Sequence, residues 1–226
     1  YLKKNFLSIA EKKYILKICN SIFPEYISLD NVQSFEDLKL HKKLTDLRNN
    51  YPKKFGEMYD KFILSSSLRK IFYNHKFINI FAKLLNSKPS NIFINGYMFR
   101  FDAPYDKRNS LNWHQDSPYY QMTYPKYNAG VCWLSITKNS IKNGSLNFIP
   151  ESHKKGFVKA SNTKSKKFTS EQFTLKVGSS SKDKIKIMNA SFGDAAFFDM
   201  NLQHKSGINK SSKIRMTIGC RFHDMN

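Results

Sequence analysis

The stretch Asn112-Trp113-His114-Gln115-Asp116-Ser117-Pro118-Tyr119-Tyr120 contains the pattern His-x-Asp. Successive side chains of an extended segment point to opposite faces, so His114 and Asp116 share one side and Gln115 takes the other. An imidazole and a carboxylate at i and i+2 are two thirds of a 2-His-1-carboxylate facial triad, the arrangement that leaves open positions on Fe(II). The chain has 6 histidines. His204, within Asp199-Met200-Asn201-Leu202-Gln203-His204-Lys205-Ser206, is best placed to complete the triad, because it follows the strand-like Ala195-Ala196-Phe197-Phe198. Arg215 comes 11 residues later, inside Lys213-Ile214-Arg215-Met216-Thr217-Ile218-Gly219-Cys220-Arg221-Phe222.

Outward from this stretch the hydrophobic period changes once. Toward the N-terminus it is helical: Ser8-Ile9-Ala10-Glu11 has capping-box spacing, and Ile15, Ile18, Cys19 and Ile22 follow at helical intervals until Pro24. Residues 35–50 read as a helix or loop, a second helical pattern runs from Pro52 to Leu68, and a third carries Phe77, Ile80, Phe81, Leu84 and Leu85 on one stripe. After Ser90 the period becomes strand-like. Ile92 to Phe101 reads as a strand, Asp102 to Asp106 as a turn and Leu111 to Asp116 as the metal-bearing strand. Val131 to Ile136, Ser145 to Ile149, Ala195 to Asp199 and Lys213 to Phe222 supply further strands. Helices first and about eight short strands afterwards indicate a mainly β fold with N-terminal helices (α+β), a double-stranded β-helix or cupin-like jelly roll. We expect one domain over 1–226, with 1–90 a mostly helical buttress, 91–226 the jelly-roll core, and a basic insertion at about 153–186.

The last strand has two faces. Ile214, Met216, Ile218, Cys220 and Phe222 form an apolar face to be covered by the helices, and Arg215, Thr217, Gly219 and Arg221 share the other, which leaves Arg215 pointing into the barrel. A buried guanidinium needs a carboxylate, and no acid near it on the same strand provides one. Either an acid on another strand or the carboxylate of a bound small molecule would, and in the second case Ser206, two residues after His204 and on its face, would donate a further hydrogen bond.

Composition narrows the partners. The net charge is +21, yet 32 of the 38 basic residues are Lys, whereas base readout and bidentate phosphate clamps favour Arg. Together with the richness in Asn, Ile, Phe and Tyr, this reads as a compositional bias of a solvated surface, so neither nucleic acid nor a membrane is expected as partner. No run approaches the roughly 18 apolar residues of a membrane span. Cys19, Cys132 and Cys220 are scattered, without metal or redox spacing, which suits reduced thiols and a cytoplasmic location.

Taken together, His-x-Asp, a histidine 88 residues after the Asp and Arg at His+11 resemble the Fe(II)/2-oxoglutarate-dependent dioxygenases, specifically the phytanoyl-CoA dioxygenase-like family. Asn143-Gly144-Ser145-Leu146-Asn147-Phe148-Ile149-Pro150-Glu151-Ser152-His153-Lys154 is similar to that family's NG-x-L-x-x-x-P-x-SH-K stretch, and the likeness runs from about residue 90 to 222. The resemblance implies Fe(II) on His114, Asp116 and His204, 2-oxoglutarate on Arg215 and Ser206 with Trp133 and Met98 lining its pocket, and dioxygen as second co-substrate. The implied reaction is hydroxylation of an unactivated C–H bond of a small molecule, with release of succinate and CO2. Asp116 speaks against a halogenase, whose chloride site requires a small residue there. Two alternatives stand beside this reading: a nucleic-acid demethylase with the same iron chemistry, whose end Arg215-x5-Arg221 also resembles, and a non-catalytic cupin-like metal-binding protein. The insertion, with ten Lys against Glu171 and Asp183, reads either as a solvated loop or as a lid that attracts an anionic substrate. In the second case Gln115, Tyr119 and Arg100 are the candidate substrate contacts on the opposite wall.

Overall fold

The computed structural model describes residues 1–29, 31–107, 110–163, 172–178 and 183–226. Lys164, Lys166 and Lys167, central to the expected lid, lie outside the described residues.

Five α-helices occupy the N-terminal part: α1 (Ile9–Ile22), α2 (Leu38–Asn50), α3 (Pro52–Leu64), α4 (Ser66–Arg69) and α5 (His75–Leu84). The capping box of α1 forms as its sequence dictates, with the Ser8 side chain accepting from Glu11 N and the Glu11 side chain accepting from Ser8 N. Asp37 and Asn74 cap α2 and α5 with their side chains alone, accepting from Lys39 N and Lys76 N. The pattern expected as one helix from Pro52 to Leu68 is divided at Ser65, whose hydroxyl accepts from Leu68 N and starts a new short helix.

The described residues form ten strands in antiparallel pairing, β1 ahead of the helices and the others after them: β1 (Leu2–Lys3), β2 (Ile92–Asp102), β3 (Ala129–Ser135), β4 (Asn147–Phe148), β5 (Ser161–Thr163), β6 (Gln172–Thr174), β7 (Lys186–Ile187), β8 (Ala195–Asp199), β9 (His204–Lys205) and β10 (Arg215–Asp224). A large sheet runs in the order β1-β8-β3-β10-β2 and a small one in the order β7-β4-β9, while β5 and β6 form a separate hairpin. This is the jelly-roll arrangement, and the two sheets enclose one wall each of a cavity described below. Two strands depart from expectation. β2 continues through Asp102, which is no turn residue, and Leu111 to Asp116 forms no strand apart from a single bridge between His114 and His204.

The helices cover the other face of the large sheet. Phe62 packs at ring-centroid distances of 4.7 Å from Phe99 and 5.0 Å from Phe101, and Phe81 stacks on Phe222 at 4.0 Å. Ile214, Met216, Ile218, Cys220 and Phe222 are all buried in this layer, as the alternation of β10 requires. Among the described residues no helix is long and apolar enough to cross a membrane.

Two predictions follow from this packing. Phe62 is 0% exposed and Ile9 75%. Urea denaturation should therefore show Phe62→Ala losing about 3–5 kcal/mol and Ile9→Ala less than about 0.5 kcal/mol. The second concerns acid. Burial, reinforced by Lys213, holds His41 below its ordinary value, and burial with Arg221 nearby lowers His223 to about 4. Both rings bind a proton more readily in the unfolded chain, where a histidine titrates near 6.5. The unfolded state thus takes up protons first as pH falls, so stability is full above about pH 6.5 and is lost progressively toward pH 4. Urea midpoints measured across that range should fall, and His223→Gln should reduce the slope.

Candidate active site

His114 and His204 face each other across an antiparallel bridge, His114 N donating to His204 O at 2.9 Å and His204 N to His114 O at 3.0 Å. Directly opposed residues share a face, so the two imidazoles project together, with centroids 4.2 Å apart. Asp116 reaches the same point by another route. Its backbone is in the right-handed helical region (φ −77°, ψ −23°) at the start of a 3₁₀ turn, and its N–H donates to Met200 O at 2.9 Å. The expected convergence of His114 and Asp116 therefore holds, but the strand alternation invoked for it does not. Asp116 Oδ1 lies 3.4 Å from His114 Nε2 and 3.7 Å from His204 Nε2, and one ligand atom from each residue lies within 4.8 Å of the others.

The protonation states suit a metal ion. His114 Nδ1 is 2.7 Å from Asn112 O and His204 Nδ1 is 2.8 Å from Leu202 O. A carbonyl can only accept, so each Nδ1 carries a proton and Nε2 is the ring atom turned to the centre. Burial, with His114 alongside, lowers His204 to about 3, keeping it neutral. Burial opposes the charge on Asp116, but Arg221 and the two imidazoles outweigh it and hold the carboxyl far below the usual range. Arg221 donates to Asp116 Oδ2 from Nε at 3.0 Å and from Nη2 at 2.8 Å. The sequence reading placed Arg221 on the correct face of β10 but gave it no part in the site.

The triad opens into a cavity whose walls include Met98, Arg100, Trp133, Ser206, Arg215 and Gly219. Met98, Gly219 and Trp133 stand side by side on β2, β10 and β3. A Cβ on Gly219 would come within 3.1 Å of Met98 Cγ, so the glycine leaves the cavity floor hollow where two large side chains flank it. Ser206 Oγ accepts from Leu111 N at 3.2 Å, which leaves its hydroxyl proton for another acceptor. A larger, mainly apolar hollow of about 580 Å³ shares only Phe198 with this cavity and contains none of the triad.

Arg215 corrects one expectation. It does have an acid of the protein as partner, because Asp102, its cross-strand neighbour on β2, accepts from Arg215 Nη2 at 2.7 Å through Oδ2. Asp102 Oδ1 meanwhile accepts from Arg100 Nη2 at 2.9 Å. The carboxylate thus bridges two guanidinium groups, and Arg215 Nε stays buried with no partner among the described residues. Asp102 was missed because it was read as part of a turn; the alternation Met98, Arg100, Asp102 continuing along β2 was the signal. Arg100, expected to face the substrate, lines the cavity and at the same time belongs to this buried cluster.

Of the other two proposed substrate contacts, Tyr119 lies beside the site and Gln115 does not face it. The Tyr119 ring meets His114 edge-on at 6.0 Å, and its hydroxyl accepts from Phe173 N at 2.8 Å. Gln115 is buried on the opposite side, where its amide donates to Gly156 O at 2.8 Å and Asn201 O at 2.6 Å and accepts from Val158 N at 2.8 Å. It is a tie for the start of the basic insertion. The far end is tied as well, since Asn112 N donates to Gln172 Oε1 at 3.2 Å and Leu175 N to Trp113 O at 2.7 Å. Both described ends of the insertion are thus fastened to the segment that carries His114 and Asp116.

Comparison with known proteins agrees with this geometry. No curated protein matches the sequence significantly. Among solved structures, the epimerase SnoN in complex with Fe3+, alpha ketoglutarate and nogalamycin RO has 13% identity over 99% of this chain and 78% of its own, with a TM-score of 0.62. EctD from S. alaskensis with 2-oxoglutarate and 5-hydroxyectoine has 15% identity over 99% and 71%, with a TM-score of 0.62. EvdO2 from Micromonospora carbonacea var. aurantiaca complexed with 2-oxoglutarate has 16% identity over 69% of this chain, and the alignment spans 62% of its own length (TM-score 0.55). At such identities the likeness is one of fold. The sequence itself matches the phytanoyl-CoA dioxygenase (PhyH) profile over residues 28–217, and the chain belongs to that family.

Proposed function

We propose that this protein is an Fe(II)- and 2-oxoglutarate-dependent oxygenase that hydroxylates an unactivated C–H bond of a small molecule. In this reading His114, Asp116 and His204 hold the iron, and Arg215 and Ser206 hold the distal carboxylate of 2-oxoglutarate. The observation that carries it is the joint presence, in one buried cavity, of three convergent ligand atoms and an Arg215 Nε with no partner among the described residues.

The residues fit both groups. Two imidazoles and one carboxylate are the donor set suited to non-haem Fe(II) with open positions. Loaded with 2-oxoglutarate, the iron supplies oxidative decarboxylation to succinate and CO2 and transfer of one oxygen atom of O2 to a substrate C–H bond. The chain supplies everything else. The Asn112 and Leu202 carbonyls orient the imidazoles. Arg215 offers Nε to a carboxylate in surroundings of low polarity, where a charge-assisted bond is strong. Met98 and Trp133 line the same cavity and would exclude water from a 2-oxo acid bound there, and Tyr119 lies edge-on beside the His114 ring. The lysine-rich insertion, anchored at both described ends beside the triad, supports an anionic substrate drawn in by long-range attraction.

The Arg215–Asp102 pair supports a competing reading in which Arg215 is structural. Calorimetric titration with 2-oxoglutarate, in the presence of Mn(II) and without oxygen, separates the two. Arg215→Lys cannot reproduce bidentate geometry and should raise the Kd at least tenfold, about 1.4 kcal/mol. Asp102→Asn frees Arg215 and should keep or tighten binding. Unchanged affinity in Arg215→Lys would contradict the assignment. Oxygenation itself is tested with a metabolite panel, by substrate-triggered succinate formation and incorporation of label from 18O2. Succinate without a labelled product in any pairing would overturn hydroxylation as the outcome.

A further inference from the structure

Arg221 is the second guanidinium of β10 to face the cavity, and its position is built with more care than a neutralising charge requires. β2 and β10 pair in register from Arg215–Asp102 to Gly219–Met98 and then slip: Arg221 stands opposite Asn95, so β2 carries one more residue than β10 over this step. Bulges of this kind re-aim side chains near functional sites. The extra residue is accommodated at Gly96, whose φ of +59° is left-handed. A side chain there is also sterically forbidden, because a Cβ would fall 2.5 Å from the Tyr120 ring and 2.9 Å from Arg221 Cδ. Into this gap the guanidinium is packed on three sides. Nη1 donates to Gly96 O at 2.8 Å, the Tyr120 ring centroid lies 4.5 Å from Cζ, and Nε and Nη2 both reach Asp116 Oδ2.

Both Arg221 donors use the same oxygen, Oδ2, while Oδ1 alone faces the two imidazole Nε2 atoms. A free carboxylate can turn both oxygens onto a metal ion, and would then fill a coordination position that a co-substrate needs. We propose that Arg221 is a positioning residue that makes Asp116 a one-oxygen ligand, with the Gly96 bulge and Tyr120 holding it in place. The inference rests on His114, Asp116 and His204 being the metal site. It assigns to the bulge a purpose in the metal chemistry: it keeps positions open for the co-substrate while leaving the carboxylate charged.

The test is titration of the metal-free protein with Co(II), read by its visible ligand-field bands, followed by 2-oxoglutarate. Arg221→Met should weaken Co(II) binding about 10- to 100-fold, the usual consequence of losing a partner of a metal ligand. Its spectrum should differ from wild type, and the change on adding 2-oxoglutarate should shrink, since Asp116 then occupies two positions. Arg221→Lys, which keeps the cation but only one donor toward Oδ2, should be intermediate. Tyr120→Leu should shift affinity in the same direction by a smaller factor. A folded Arg221→Met with wild-type affinity and spectrum, while His114→Ala has lost both, overturns the inference alone; unchanged binding in His114→Ala as well overturns the metal site on which it rests. Should Arg221→Met fail to fold, wild-type affinity and spectra in both Arg221→Lys and Tyr120→Leu overturn the inference.

Discussion

Strand β10 is buried along its whole length, and its two faces require opposite chemistry. Toward the helices it presents Met216, Ile218, Cys220 and Phe222, which belong to the main core, with Phe222 stacked on Phe81 of α5, and contribute apolar burial worth roughly 1.5–3 kcal/mol for each large side chain. Toward the cavity it presents Arg215 and Arg221, each of which would be very costly without an acid. Period-two alternation links the two requirements. A slip of one residue in register would put guanidinium groups against Phe62 and Phe81 and phenylalanine in the metal site, so the packing that secures the fold also fixes where the charges point.

Charge inside the cavity follows from the same strand. Asp102 is shared between Arg100 and Arg215, and Asp116 is engaged by Arg221, so three described arginines face two aspartates. Among the described residues these three guanidinium groups outnumber the two carboxylates by one. In low dielectric such an excess favours binding of an anion and disfavours a neutral ligand. A divalent metal ion on the triad increases the excess, and a dianionic 2-oxo acid reduces it. The aspartates also explain why the arginines are tolerated in the folded protein on its own: each has a carboxylate within hydrogen-bonding distance, at 2.7 to 2.9 Å for the closest pairs.

Much of this was legible in the sequence because it depends on local rules. The capping box at Ser8–Glu11, the helical stripe through Phe77 and Phe81, and the two-faced pattern of β10 are each set by residues a few positions apart. His114, Asp116 and His204 were legible as a set by resemblance, although the reason given for the first two, a regular strand, was replaced by a bridge and a 3₁₀ turn. What escaped were partnerships across strands. Asp102 finds Arg215 at a separation of 113 residues and Arg221 finds Asp116 at 105. No spacing rule reports such pairs. Gln115 shows the converse: its neighbour His114 lines the cavity, yet its own side chain is spent on Gly156, Val158 and Asn201.

The proposal that iron and 2-oxoglutarate meet in this cavity is tested most directly by anaerobic mixing of the protein with equimolar Fe(II) and an excess of 2-oxoglutarate, monitored in the visible range. Chelation of Fe(II) by a 2-oxo acid produces a metal-to-ligand charge-transfer band that neither component gives alone. One equivalent of iron should saturate the band, and exposure to oxygen should discharge it with formation of succinate. Absence of the band in folded protein that has taken up the iron would contradict the assignment of the co-substrate to this site.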